Sequence, residues 1–357
     1  KLGKNRLSAG LRHTQAYSDN TYRNGHDTEF GASQTETNMQ QGETYLYGEW
    51  KGSIKKLDYM LGAGVTRVAF RQENAGNDYS RYIFNPRLTL SLPLSGRSSI
   101  RLKSSILNKT PSLSELSAVE QMIDSLQIQR GNPNLKPYLS SFSELNCEWR
   151  KGIFYTVLTG IYEHSFSPVM DEKFWEGNRI IQTWNNQQSW QRISTGIHLR
   201  IGPVKDILTL SINGGVNHYI SHGNTYRHVY TNPYANIMLN GNYKNFQASF
   251  SWNTNWDYLF GETMNGGESI HTMSVGYKYR DMKFEIAVFC PFVNDFRRDT
   301  ENRSKHASYR KTLYSNDISR LVSFRYSYNF SFGRKFEAGG KRLDNADNDA
   351  GVMNAGK

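Results

Sequence analysis

The chain of 357 residues has two cysteines, nine prolines and no long apolar run. A membrane-spanning helix needs about 18 consecutive apolar residues or more, so the sequence excludes one. Cys147 and Cys290 lie far apart in the sequence and have no metal-ligand spacing around them. We therefore expect neither a disulfide nor a metal site.

The sequence also lacks the signatures of the common enzyme classes. It contains no GxSxG, HExxH or P-loop motif. Gly62-Ala63-Gly64 has no third glycine and lies inside a predicted strand, which favours a packing role over nucleotide binding. We predict no catalytic residue, no metal and no cofactor. A serine–histidine hydrolase is the alternative, because serines and histidines are plentiful.

The formal net charge of +11 raises the question of a nucleic-acid partner. The basic residues, however, are dispersed through predicted turns, loops and one face of the strands, and they form no single patch. We therefore expect no nucleic-acid binding. Acidic lipopolysaccharide or anionic solutes are the partners that this charge favours.

Aromatic residues are abundant, and near residues 321–332 they alternate strictly with polar ones. The aromatic positions are Phe324, Tyr326, Tyr328, Phe330 and Phe332. Successive side chains of a strand point to opposite faces, so one face is aromatic and the other hydrophilic. This pattern is typical of a transmembrane β-barrel strand between lipid and a water-filled lumen. We predict that it is the closing strand, which inserts into the membrane.

The same period of two recurs along the chain and predicts an all-β protein, a transmembrane antiparallel β-barrel with about fourteen strands. Short turns alternate with long polar loops, as in bacterial outer-membrane barrels, and this places the C-terminus on the periplasmic side. The predicted long loops are Ser18–Glu43, Arg71–Ser80, Lys109–Pro137, Ser165–Arg192, Ser221–Asn232, Asp257–His271 and Val293–Ser319. We expect the barrel over residues 1–333, a flexible periplasmic tail over residues 334–357, and both cysteines at lipid-facing positions. A soluble propeller is the alternative, but we find no repeat of about 40–50 residues.

Two motifs lie in the long loop between residues 109 and 137. They read TPSLSEL from Thr110 and GNPNLKP from Gly131. Their spacing closely resembles that of TonB-dependent outer-membrane receptors, and the C-terminal segment is similar to the Bacteroidetes outer-membrane β-barrel family. The matching motif residues are Thr110, Pro111, Glu115, Leu116, Gly131, Asn132, Pro133, Leu135 and Pro137. We expect Pro133 and Pro137 to stiffen the connection from loop to strand.

This resemblance implies capture of a solute by extracellular loops and its import across the outer membrane. It also implies contact with outer-membrane lipid and lipopolysaccharide, with the barrel-assembly machinery, and with TonB and a surface lipoprotein. Family members carry a plug, a TonB box and about 22 strands. This chain begins at Lys1 and shows neither plug nor TonB box, so we expect it to be the C-terminal part of a longer receptor; a reduced barrel is the alternative. A structural scaffold barrel without energy-coupled transport is the second function, and siderophore, glycan, peptide and cobalamin all remain open as substrates.

Two sets of residues are candidates for solute contact. The loop Ser165–Arg192 offers aromatic, amide and cationic groups that suit stacking on flat solutes or sugar rings. They are Trp175, Arg179, Trp184, Asn186 and Trp190. A membrane-interface girdle or loop-to-loop packing is the simpler explanation of these aromatics. The second set, Arg87, Arg101 and Lys103, points away from the leucine faces of neighbouring strands, where it lines either an anion-favouring lumen or an unselective one.

Overall fold

The computed structural model describes residues 5–23, 34–73, 78–293, 296–315, 317 and 319–330. Phe332 and the predicted tail over residues 334–357 lie outside this set. Most of the described chain is strand, with one four-residue helix. No helix among the described residues has the length and apolarity needed to cross a membrane.

The strands and the helix follow one another in a simple order. They are β1 (Arg6–Arg23), β2 (Gln34–Ile54), β3 (Leu57–Gln72), β4 (Tyr79–Ser95), β5 (Ser98–Lys109), α1 (Leu113–Leu116), β6 (Glu120–Met122), β7 (Gln127–Arg130), β8 (Tyr138–Lys151), β9 (Phe154–Phe166), β10 (Val169–Glu176), β11 (Arg179–Asn186), β12 (Ser189–Val204), β13 (Leu208–His222), β14 (Arg227–Tyr243), β15 (Phe246–Asn253), β16 (Tyr258–Phe260), β17 (Thr263–Asn265), β18 (His271–Tyr279), β19 (Met282–Phe289), β20 (Arg297–Asn302), β21 (Tyr309–Tyr314) and β22 (Leu321–Tyr328).

Fourteen of these strands form one sheet in the order β1-β2-β3-β4-β5-β8-β9-β12-β13-β14-β15-β18-β19-β22. Every pairing in it is antiparallel, and each long strand lies beside the next long strand of the chain. The predicted fold class and strand number are therefore confirmed. Within the described residues the edge strands β1 and β22 are not paired with each other, so the sheet is open, as part of a larger barrel would be.

Turns of two or three residues join β2–β3, β4–β5, β8–β9, β12–β13, β14–β15 and β18–β19 at one end of the sheet. All longer connections lie at the other end, as the alternation predicted. The loop predicted over Ser18–Glu43 is too long, because β1 continues to Arg23 and β2 already begins at Gln34. The residues of these extensions are mostly polar on both faces. Their backbones pair as strands, but the sequence shows no alternation of apolar and polar residues from which these strands could be predicted.

The register aligns the apolar residues of all fourteen strands on one face. Leu7 lies opposite Trp50, which lies opposite Leu61 on the next strand, and at the far edge Ile286 lies opposite Phe324. Directly paired residues share a face of the sheet. These side chains are solvent-exposed in the isolated chain; Phe324, for example, is 67% exposed. The sheet therefore presents a continuous apolar belt, which we call the lipid-facing belt, and a polar inner face.

The two cysteines differ from each other in their placement. Cys147 pairs with Ile100 and Leu158 and so lies on the lipid-facing belt, as predicted. The same prediction for Cys290 is wrong. Strand β19 ends one residue earlier, and the backbone at Cys290 turns into the left-handed region with φ 45°. Its N–H donates to the His271 carbonyl at 2.7 Å, and the side chain is fully buried.

Candidate functional site

The long connections fold into two small sheets above the barrel wall. One has the order β10-β11-β7-β6 and joins the β5–β8 connection to the β9–β12 connection. The other, β16-β17-β20-β21, joins the β15–β18 connection to the β19–β22 connection. The loop predicted over Ser165–Arg192 therefore contains the end of β9, two further strands and the start of β12. We call this end of the molecule the mouth.

The first motif of the β5–β8 connection forms the short helix α1. Ser112 caps it, since its Oγ accepts from the Glu115 N–H at 3.3 Å while the Glu115 carboxylate accepts from the Ser112 N–H at 2.8 Å. This reciprocal pair is a capping box, which satisfies two backbone donors at the helix start. The preceding residues fasten the helix to β2. Thr110 donates to the Glu43 carboxylate, and the Gln41 side chain donates to the Pro111 carbonyl at 2.9 Å.

The second motif packs directly on the first. The Asn132 N–H donates to the Glu115 carbonyl at 2.7 Å, and the Asn132 side chain donates to the Trp184 carbonyl at 3.0 Å. Leu135 is buried in a cluster whose other members come from α1 and from three strands. They are Leu113, Leu116, Met39, Phe70 and Val169. The two motifs thus fold as one unit that attaches the connection to the inside of the mouth, and Pro137 directly precedes β8.

The five residues predicted to contact a solute do not form one surface. Trp175 is 52% exposed, near the tip of the β10–β11 hairpin, and Arg179 is half-buried across the turn from it. Trp184 is half-buried against the motif cluster. Asn186 has a structural role, because it accepts from the Lys136 N–H at 2.9 Å and donates to the Lys136 carbonyl at 3.0 Å.

The prediction that Trp190 is an exposed loop residue is wrong. It lies in β12, is 3% exposed, and its Nε1–H donates to the Leu259 carbonyl at 2.8 Å. The reason is its position in the strand. Ile193 and Ile197 belong to the lipid-facing belt, and Trp190 is an odd number of residues from both, which places it on the inner face.

Trp190 belongs to a group of aromatic residues that the sequence did not bring together. Its ring centroid lies 6.2 Å from that of Tyr219 on β13, and 5.7 Å from those of both Tyr258 and Phe260 on β16. We call these four residues the mouth aromatics. The spacing suits edge and offset ring packing. They connect the inner barrel wall to the second loop sheet, a contact between segments too distant in the chain for any local pattern to reveal.

A buried group of charges ties three connections together. Asp171 on β10 accepts from the Thr263 hydroxyl at 3.1 Å and from the Asn302 amide at 3.4 Å. Lys173 is 5% exposed and donates to the Ala307 carbonyl at 3.1 Å. Burial raises the pKa of Asp171 and of the nearby Glu262 and lowers the pKa of Lys173. Among the residues that the structure describes, no group of three His, Cys, Asp or Glu side chains is placed to hold a metal ion.

Arg87, Arg101 and Lys103 all lie on the polar inner face, as predicted. Arg87 stacks over the Tyr45 ring at 5.7 Å from its centroid. The Arg101 guanidinium donates to the Ser91 hydroxyl at 3.2 Å, and the Lys103 ammonium lies 3.7 Å from the Glu144 carboxylate. The charge of Lys103 is therefore partly compensated, which weakens the case for a strongly anion-selective lumen.

An open antiparallel sheet with a lipid-facing belt, a polar inner face and all its short turns at one end is the wall of an outer-membrane β-barrel. Residues 1–328 match the model of the outer membrane protein beta-barrel family, and the chain belongs to this family. Its location as an integral outer-membrane protein follows. No curated protein matches the sequence.

Solved structures with the same fold are transporters and receptors. The FrpB iron transporter from Neisseria meningitidis (F3-3 variant) superimposes with a TM-score of 0.63 at 11% identity, over 92% of this chain and 53% of that one. The copper transporter OprC gives 0.61 at 8% identity, over 83% and 50%. The ferric-catecholate import receptor Fiu from E. coli K12 gives 0.57 at 10%, over 91% and 52%. The chain thus spans about half the length of each, and the predicted resemblance to TonB-dependent receptors is confirmed, whereas the Bacteroidetes origin stays a prediction.

Proposed function

We propose that this barrel binds a solute at its mouth and imports it across the outer membrane as a receptor-like transporter. The structure of the mouth supports this proposal most strongly. Ordered loop sheets stand above a polar inner face, and the mouth aromatics lie where the two meet. The fold shared with a copper transporter, an iron transporter and a ferric-catecholate import receptor supports a role in transport. Energy coupling through TonB, a plug and a surface lipoprotein belongs to this proposal.

The arrangement suggests two successive contacts for the solute. Trp175 and Arg179, near the tip of the β10–β11 hairpin, make the first contact from solvent. Trp175 pairs with Ile180 and Arg179 pairs with Glu176, so the indole and the guanidinium lie on opposite faces of the hairpin. The indole suits flat rings or sugars, and the guanidinium suits anionic groups. Trp190 and Tyr219 are buried, so they act by holding the second loop sheet against the inner wall, and the polar side chains of that wall make the second contact. Trp184 and Asn186 act indirectly, by holding the hairpin to the second motif.

Entry into the membrane is part of the same proposal. On β22 the side chains of Phe324, Tyr326 and Tyr328 are exposed, as is Phe330 just beyond it. An aromatic C-terminal strand with one free edge is the element that we expect the barrel-assembly machinery to receive. Lipid and lipopolysaccharide then surround the belt.

The test compares solute depletion by intact cells with and without the gene. Both strains grow in the same complex medium, and mass spectrometry follows which solutes disappear. We expect one class of solute to be taken up only by cells that carry the gene. The double variant Trp175→Ala and Arg179→Ala should slow that uptake several-fold at an unchanged amount of protein in the outer membrane.

Leu126→Ala provides the matched control, because Leu126 is an exposed residue of a neighbouring connection at 56% exposure. It should leave uptake unchanged. Identical depletion by both strains would contradict import and favour a scaffold barrel within a larger outer-membrane complex.

A further inference from the structure

The short-turn end of the sheet carries one feature that solute import does not explain. A basic residue lies in, or directly beside, each of its six turns. These residues, which we call the rim residues, are Lys55, Arg97, Lys151, Lys205, Lys244 and Arg280. All six are exposed. Among the described residues, no ion pair neutralises any of them.

The backbone of the turns does not account for these residues. Lys55, Lys205, Lys244 and Arg280 have φ values of 55°, 50°, 53° and 53°. This left-handed region favours glycine, which has no Cβ to approach the following carbonyl oxygen, and asparagine, whose short polar side chain hydrogen-bonds to the nearby backbone. Four of the six turns therefore hold a long basic side chain where the local conformation disfavours one. A role for the charge itself explains this better than the shape of the turn.

The rim residues lie at the border of the lipid-facing belt. Tyr243 and Tyr279, the last residues of β14 and β18, are on the belt and 56% and 45% exposed. The Lys244 ammonium lies 5.4 Å from the centroid of the Tyr243 ring, and the Arg280 guanidinium lies 5.4 Å from that of Tyr279. Aromatic rings with adjacent cations are typical of the depth at which lipid headgroups lie. The positive charges are therefore held at headgroup level.

We propose that the rim residues bind the phosphate-bearing headgroups of anionic phospholipids in the periplasmic leaflet of the outer membrane. The spacing favours lipid over an acidic protein. Successive turns are two strands apart, which is roughly 10 Å along the rim. The charges thus follow the edge of the sheet, without the compact patch or apolar centre of a protein interface. Exposed Lys56 and Arg150 add to the positive charge beside Lys55 and Lys151, whereas exposed Asp206 and Asp281 adjoin Lys205 and Arg280. Each rim residue can serve a separate headgroup.

The experiment uses the full-length protein in nanodiscs that contain phosphatidylethanolamine and phosphatidylglycerol in a ratio of about seven to three. The lipids that remain bound after mild detergent extraction are counted by native mass spectrometry. The test variant combines Lys55→Asn, Lys205→Asn, Lys244→Asn and Arg280→Asn. Asparagine tolerates the left-handed conformation, so these turns keep their shape while they lose their charge.

The wild-type protein should retain phosphatidylglycerol in several-fold excess over its share of the mixture, and added salt should reduce this excess. The rim variant should lose most of this excess, and the remainder should be what Arg97 and Lys151 still bind. The matched control removes four exposed basic residues at the mouth, with Arg227, Arg298, Lys305 and Lys311 each changed to Asn. It should keep the wild-type enrichment.

Two results would overturn the proposal. The first is a wild-type protein without preference for phosphatidylglycerol, or a rim variant that keeps this preference. The second is an unchanged lipid ratio together with the loss of an acidic protein that co-purifies with the wild type, which would make the rim a protein-docking surface. Both variants must reach the outer membrane in wild-type amounts, which heat-modifiable migration on a gel verifies.

Discussion

At the scale of single residues, Gly131 is where the two motifs come closest. A Cβ on this residue would lie 2.6 Å from the Glu115 carbonyl oxygen and 2.8 Å from the Ser117 nitrogen, and it would also meet the Ser117 carbonyl oxygen. These are backbone atoms, which cannot move aside as a flexible side chain does. Because Gly131 has no Cβ, the GNPNLKP motif can pack closely on the backbone at the end of the TPSLSEL motif.

We expect Gly131→Ala to loosen that contact by about 1–3 kcal/mol, the usual effect of overpacking. Hydrogen exchange at the Asn132 amide reports it directly, because this N–H donates to the Glu115 carbonyl. Gly96→Ala is the matched control, since a Cβ there meets nothing within 4 Å. Equal protection of Asn132 in the wild type and in Gly131→Ala would show that the packing argument is wrong.

The buried carboxyls Asp171 and Glu262 predict a pH dependence of the loop assembly. Burial raises the pKa of both, so the folded loops hold these protons more tightly than the unfolded chain does. Their stabilising contribution is complete below the ordinary carboxyl pKa and is lost as the pH rises through the raised values. Burial lowers the pKa of Lys173, so the folded loops hold this proton less tightly than the unfolded chain does, and its contribution to stability has the opposite dependence on pH.

Protection of the Thr263 and Arg303 amides, corrected for the intrinsic exchange rate, should therefore decrease from acid toward neutral pH. In the variant Asp171→Asn this protection should depend less steeply on pH, because only the Glu262 carboxyl still binds a proton over this range. Protection that rises over the same range would contradict the assignment of these carboxyls.

The sequence predicted where functional residues concentrate better than it predicted what each one does. The motifs and the aromatic loop were found from their letters alone. That Trp190 points inward could have been derived from its parity with Ile193, but its partners on β16 lie about seventy residues further along the chain. The charge group around Asp171 depends on contacts among three separate connections, which no local pattern contains.

At the scale of the elements, the alternation of polar and apolar residues determines the fold. It predicted the strand number and the short turns because the belt requires an apolar side chain at every second position. Outside the belt no face of a strand has to be apolar, so the sequence shows no alternation there and strands cannot be predicted from it. The upper halves of β1 and β2 and the small loop sheets pair through their backbones, with polar residues on both faces.

A pair of adjacent substitutions tests the assignment of faces. Leu158 is 53% exposed and pairs with Cys147 and Ile197 on the lipid-facing belt. Val157 points inward, opposite Glu148 and His198. Leu158→Arg should cost about 2–4 kcal/mol, the usual effect of an arginine on the lipid face at the bilayer midplane. Val157→Arg should cost much less, because water and the Glu148 carboxylate are within reach.

Urea unfolding of the intact protein in lipid vesicles measures both variants. A smaller loss for Leu158→Arg than for Val157→Arg would reverse the faces of the sheet and with them the whole arrangement of belt and lumen.

At the scale of the whole molecule, the open sheet is the central fact. Unpaired strand edges are unfavourable in lipid, because backbone N–H and C=O groups find no water there. The described strands leave β1 and β22 as edges, and the chain spans about half the length of the solved transporters and receptor that share its fold. Import as proposed needs a closed barrel of larger circumference with a plug inside it, which is why the size of the native protein matters.

The most direct test is therefore the intact mass of the protein extracted from its own outer membrane. The chain described by this sequence has a mass of 41.0 kDa. If the protein imports a solute as proposed, the native polypeptide has roughly twice that mass, with residues upstream that complete the barrel and supply the plug. A native mass near 41.0 kDa would contradict energy-coupled import and leave a smaller barrel with a scaffold role.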